Sequence, residues 1–203
     1  INLLYFSDEF NVGALDHSYS SVYVLIDQAY SAGYGTALRN ISAHEFFHIL
    51  TPLTVHSEEI ADFDFNNPEM SRHLWMYEGV TEYFASLMQV QHELITLDEF
   101  IQVIREKMLT ADQFIDDVPF TEISKFTLDK YHDQYYNVYQ KGALMGLCLD
   151  VRLRKLSKGE RGLRDLMLQL SEKYGKEKAF KDDKLFAEIT AMTYPEIGEF
   201  FDR

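Results

Sequence analysis

Residues His44-Glu45-Phe46-Phe47-His48 place two imidazoles and a carboxylate within one short segment. On an α-helix, positions four apart sit about 40° apart around the axis and roughly 6 Å apart along it, so both imidazoles can reach one ion from the same face. Glu45, beside His44, points into the same cleft. There it can take a proton from a metal-bound water and deliver it to a leaving amine. Zinc suits that chemistry, because it lowers the pKa of its bound water toward ~7 and polarises a carbonyl oxygen. A plain helix with two surface histidines and a solvated glutamate spells the same five letters, so the segment alone does not decide.

A hydrolytic zinc site needs a third protein ligand and an open position. A third histidine six residues past His48 is one solution, but position 54 is Thr, and position 51 is Thr rather than Gly. The other solution is a glutamate on a following helix. Glu78 lies thirty residues after His48, in Leu74-Trp75-Met76-Tyr77-Glu78-Gly79-Val80-Thr81-Glu82-Tyr83. A carboxylate within such an apolar segment needs a partner when buried, and a metal ion is one. Glu82, one turn on, is placed to accept a hydrogen bond from His44 or His48. For both glutamates, a solvated helix surface is the alternative.

Positioning these groups requires particular elements. The first 40 residues read as strands and turns, with Ser21–Ile26 β-branched and aromatic and Ser31–Gly35 a turn. Ser42 and Glu45 have capping-box spacing, which predicts a helix over 43 to about 51, ended by Pro52. Residues 57–71 read as an acidic loop. The apolar periodicity of Arg72–Gln91 predicts a second helix, antiparallel to the first. A third is predicted over 97–109, with Leu97, Phe100, Ile101, Ile104 and Met108 on one face. The stretch 110–132 reads as irregular. A long helix is expected over about 134–157, then two or three short ones broken near Gly159, Gly175 and Pro195. The expected fold is α+β: a small amino-terminal sheet, then a mainly helical bundle, in one domain spanning 1–203, strand-rich over 1–40 and mainly helical over 41–203.

The pair His44–His48 and Leu74-Trp75-Met76-Tyr77-Glu78-Gly79 resembles the gluzincins, and more narrowly the glycyl aminopeptidase family, which joins HEFFH to a downstream W-x-x-EG-x-T-x-Y. Two further segments are similar. Val138-Tyr139-Gln140-Lys141-Gly142-Ala143-Leu144 resembles the tyrosine segment that this family shares with the aminopeptidase N group. Gly13-Ala14-Leu15-Asp16-His17 resembles its G-G-L-E-H strand. The resemblance covers roughly residues 10–155. It implies a thermolysin-like zinc peptidase domain that acts on peptide or protein substrates, with one Zn²⁺ on His44, His48 and Glu78. It further implies Tyr139 as the oxyanion donor and Asp16 as the contact for a substrate amino terminus, and so an aminopeptidase. Asp16 stands where the family carries Glu, and Gln140 where it usually carries an acid. Family members also have an amino-terminal β-domain and usually a carboxy-terminal PDZ domain; neither is visible here. Together with Ile1 at the start, this gives the expectation of a catalytic fragment of a longer protein.

Composition narrows the classes. The net charge is −14, from 33 acidic and 19 basic residues, which lacks the basic surplus a nucleic-acid surface needs. There is no apolar run of membrane-spanning length and no leader, and the compartment stays open between periplasm and cytoplasm. The single cysteine, Cys148, forms no internal disulfide and, in the apolar run 143–149, is expected to be buried and inert. Two other classes remain beside the zinc peptidase: a zinc-binding but inactive relative, and a helical interaction module.

Overall fold

The computed structural model describes residues 2–202. The fold is α+β, with a three-stranded sheet followed by helices. Strands β1 (Asn2–Asp8), β2 (Gly13–Asp16) and β3 (Ser20–Ile26) lie in the order β1-β3-β2. The pair β1–β3 is parallel, with Tyr5 opposite Tyr23, and β2–β3 is antiparallel, with Asp16 opposite Ser21. Alternation is clean in β3: Ser21, Tyr23 and Leu25 are buried while their neighbours are half-buried. Tyr5 stacks on Tyr23, and its hydroxyl meets Ser42 Oγ at 2.8 Å, tying the sheet to the first helix.

That helix, α1, runs Ala32–Phe47 and so begins well before the expected position 43. Its cap is Ser31, whose side chain accepts from the Tyr34 backbone N–H at 3.1 Å. Gly33 and Gly35 in the first turn are weak helix formers, which makes the segment read as a turn, yet Ser31 satisfies the end and the sheet packs against the later turns of the helix. Ser42, the expected cap, is mid-helix. The chain leaves the helix at His48, ahead of Pro52.

The stretch expected as an acidic loop holds a short helix, α2 (Glu58–Ala61). A π-helical turn over Trp75–Val80 then leads directly into α3 (Thr81–Gln91). Arg39 donates to Gln89 Oε1 at 2.7 Å, and Gln89 donates to Asn40 Oδ1 at 3.2 Å, clamping α3 against α1. Helix α4 (Leu97–Ala111) opens with a complete capping box between Thr96 and Glu99. Its apolar face is not the expected one throughout: Leu97, Ile101 and Met108 are exposed, and its one buried residue is Lys107. The irregular stretch contains α5 (Phe120–Lys125) and a 3₁₀ turn at His132–Gln134.

The long helix α6 (Asn137–Leu156) crosses the π turn and carries the centre of the core through Val138, Ala143, Leu149 and Leu153. Cys148 projects on the opposite side of α6 and is exposed, which corrects the expectation of a buried thiol. Helices α7 (Leu163–Lys173), α8 (Leu185–Met192) and α9 (Pro195–Phe201) close the core with Leu163, Leu166, Leu170, Leu185, Ile189 and Ile197. Each such fully buried aliphatic side chain contributes about 1.5–3 kcal/mol. Asp150 pins this end: it accepts from Tyr83 at 2.8 Å, from the Leu163 backbone N–H at 2.6 Å and from Arg154 at 3.1 Å. The breaks after α6 and α7 fall at Gly159 and Gly175, with φ of 92° and 64°. Among the described residues no helix is long and apolar enough to cross a membrane.

Candidate functional site

The last turn of α1 presents His44, Glu45 and His48, all buried. The facing wall is the π turn. Its wider coil shifts Glu78 relative to a regular helix and turns its carboxylate toward α1. The turn is held at both flanks. The Trp75 indole N–H donates to His73 Nδ1 at 3.0 Å, His73 Nε2 donates to the Asp182 carbonyl at 2.8 Å, and the Ser57 backbone N–H donates to the Tyr77 hydroxyl at 2.8 Å. Burial holds His73 below its ordinary pKa, consistent with a neutral ring that accepts at Nδ1.

Three donor atoms converge. Glu78 Oε2 lies 3.1 Å from His44 Nε2 and 3.7 Å from His48 Nε2. Each histidine's other nitrogen is engaged: His48 Nδ1 donates to the Thr51 carbonyl at 3.0 Å, and His44 Nδ1 meets Glu82 Oε2 at 2.8 Å. A carbonyl only accepts, so His48 Nδ1 carries a proton, and its Nε2 faces Glu78. Tetrahedral ligands at ~2.0–2.1 Å from zinc stand about 3.3 Å apart, and the two Glu78–histidine separations bracket that value. Two imidazoles and a carboxylate, with both imidazoles fixed by their outer nitrogens, fit a zinc ion.

The electrostatics come from this crowding. Burial alone would lower the His44 pKa, but hydrogen bonds to Glu78 and Glu82 push it up to about 10. Burial raises Glu78, and the His44 and His48 contacts outweigh it and hold the carboxyl below its ordinary value. Burial likewise opposes ionisation of Glu82, yet His44 and Lys107 bring it down to about 2. Glu45 is raised by burial, partly offset by His48 and His44. A raised carboxyl is suited to taking a proton and then giving it up.

The remaining candidates also gather here. Oxygen atoms of Asp16 and Glu45 and a ring nitrogen of His48 lie within 4.8 Å of one another, so the end of β2 reaches the cleft despite the shorter side chain at Asp16. Tyr139, on the first turn of α6, has its ring 5.6 Å from that of His44, and its hydroxyl is 3.0 Å from the Tyr135 hydroxyl. Burial, then the charge of Glu78, raises the Tyr139 pKa, so the phenol keeps its proton and can donate. Glu82 contacts His44, not His48. The Thr51 carbonyl, Tyr135 and Lys107 join the site from positions that the sequence does not single out. Only Lys107 left a trace: it follows Phe100 and Ile104 at helical spacing, a lysine on an apolar stripe.

A family model described as M61 glycyl aminopeptidase matches residues 37–145, over half of the chain. This stretch holds every candidate site residue except Asp16. No curated protein matches. Among solved structures, the fold is similar to that of an aminopeptidase N family protein from Idiomarina loihiensis, with a TM-score of 0.83 and 22% sequence identity. The match covers 98% of this chain and 37% of the other, so the chain spans little more than a third of that protein's length.

Proposed function

Since the chain belongs to the M61 glycyl aminopeptidase family, we propose that it hydrolyses peptide bonds as a zinc-dependent gluzincin, and that it acts as an aminopeptidase. The observation that carries this reading is the convergence of His44 Nε2, His48 Nε2 and Glu78 Oε2, with both outer imidazole nitrogens already engaged. His44, His48 and Glu78 would hold the ion, which when bound supplies a Lewis acid that activates water and polarises the scissile carbonyl. Glu45 accepts the proton of the attacking water on its carboxylate and returns it to the leaving amine. Its burial keeps that carboxyl free of competing solvent. Tyr139 donates its hydroxyl proton in a hydrogen bond to the oxygen on which negative charge develops. Tyr135 orients that hydroxyl. Glu82 holds His44 with Nε2 facing inward.

Asp16 supports the aminopeptidase assignment. Its carboxylate, at the end of β2, lies close to the Glu45 carboxylate and the His48 ring, and would accept from a protonated substrate amine while the first peptide bond lies over Glu45. The outer edge of β2 has no partner strand among the described residues, and an extended peptide could pair with it. The test is hydrolysis of peptides with free and with acetylated amino termini by zinc-loaded chain, with Glu45→Gln as control. Much faster cleavage of free-amine than of acetylated peptides, lost in Glu45→Gln, is the expected result. Zinc binding without cleavage would make the chain an inactive relative, and the absence of zinc binding would leave a helical interaction module.

A further inference from the structure

We propose that Lys107 is a positioning residue for the metal centre, acting through Glu82 on His44; the inference rests on the zinc reading above. Lys107 is the one buried residue of α4, on the side that also carries half-buried Phe100 and Ile104. Its Nζ donates to Glu82 Oε1 at 2.8 Å, while Glu82 Oε2 lies 2.8 Å from His44 Nδ1. One carboxylate is therefore gripped at both oxygens, by a lysine on one side and by a metal-ligand imidazole on the other.

Two physical arguments give this arrangement a role at the site. First, burying an ammonium is costly without a partner, and a lysine stem on an apolar stripe ordinarily snorkels outward. Lys107 instead turns its head inward to a carboxylate. Second, the cleft gathers four carboxylates, Asp16, Glu45, Glu78 and Glu82, and among the described residues Lys107 is the one lysine or arginine paired with any of them. With Oε1 fixed, Glu82 cannot rotate away from Nδ1. His44 then keeps its ring plane, with Nε2 aimed at Glu78 and His48, before an ion arrives. Helix α4, which offers no ligand itself, thus sets the orientation of the first one.

The test is the zinc dissociation constant of the chain at fixed pH, read by competition with a chromogenic chelator, beside the visible spectrum of the cobalt-substituted protein and the unfolding midpoint of the metal-free form. Lys107→Met is expected to weaken zinc binding about 10-fold and to shift the cobalt bands, with Lys107→Arg restoring most of the affinity. In a Glu82→Gln background, Lys107→Met is expected to have no further effect on affinity. Unchanged zinc affinity in Lys107→Met, with only the unfolding midpoint lowered, overturns the proposal and makes the ion pair a structural tie. If Lys107→Met does not fold, Lys107→Gln takes its place with the same two outcomes. Failure of the unsubstituted chain to bind zinc would instead overturn the reading on which the proposal rests.

Discussion

Gly79 and Gly142 meet backbone to backbone: a Cβ on Gly79 would stand 2.3 Å from the carbonyl carbon of Gly142. This approach lets α6 cross directly over the π turn. It brings Tyr139, one turn before Gly142, toward Glu78, the residue before Gly79. The two glycines therefore set the depth of the cleft, and the Glu-Gly and Lys-Gly pairs in the sequence are matched halves of one contact.

A side chain at the crossing should be tolerated poorly. Gly79→Ala is expected to destabilise the metal-free chain by about 3 kcal/mol, the upper end of overpacking costs. Gly142→Ala, whose Cβ would lie 3.0 Å from the Gly79 Cα, should cost less, about 1–2 kcal/mol. Urea unfolding of the two variants measures both, and a Gly79→Ala chain as stable as the parent would contradict the close crossing.

Tyr139→Phe removes the proposed donor while leaving the ring packed against His44. It is expected to lower kcat by about 10²–10³-fold, with KM little changed, as for loss of an oxyanion donor. Steady-state kinetics on a free-amine peptide decide this; an effect confined to KM would assign Tyr139 to substrate binding instead.

Asp16→Ala should have the opposite signature. Removing the amine contact is expected to raise KM for free-amine peptides at least about 10-fold, and to leave acetylated peptides, cleaved poorly by either form, unaffected. Equal loss on both substrate types would place Asp16 in the chemical step.

The metal-free chain should lose stability as pH rises through the alkaline range. The folded state holds His44 at about 10 against an ordinary 6.5. The stabilisation is fully present below about 6.5 and is lost as pH climbs toward 10. Glu82 has the reverse sign: held at about 2 against 4.5, it gives stability present above 4.5 that is lost as pH falls toward 2. Thermal unfolding of the metal-free form across pH 6–10 tests the first part. His44→Gln should flatten that slope, and an equal slope in both chains would show that other groups produce it.

Much of the site is legible in the sequence because helical geometry is short-ranged. His44 and His48 share a face by spacing alone, and Glu78 stands out as a carboxylate in an apolar segment. Glu82 belongs to the same periodicity. The hidden parts come from tertiary contact. Lys107 reaches Glu82 from 25 positions away on another helix, and the Thr51 carbonyl acts through a backbone atom that any residue could supply. The start of α1 is hidden for a different reason: Gly33 and Gly35 argue against a helix, and only the cap from Ser31 and the sheet beneath override them. Cys148 and the outer face of α4 show the limit of reading burial from hydropathy, since both carry apolar letters on exposed surface.

One zinc ion on His44, His48 and Glu78 is what we propose makes this chain a peptidase. The most direct measurement is hydrolysis of a free-amine peptide by metal-free chain titrated with zinc. Activity should rise with added zinc and saturate at about one ion per chain, while Glu45→Gln binds the ion equally and stays inactive. Hydrolysis indifferent to zinc, or a Glu45→Gln chain as active as the parent, would contradict the account.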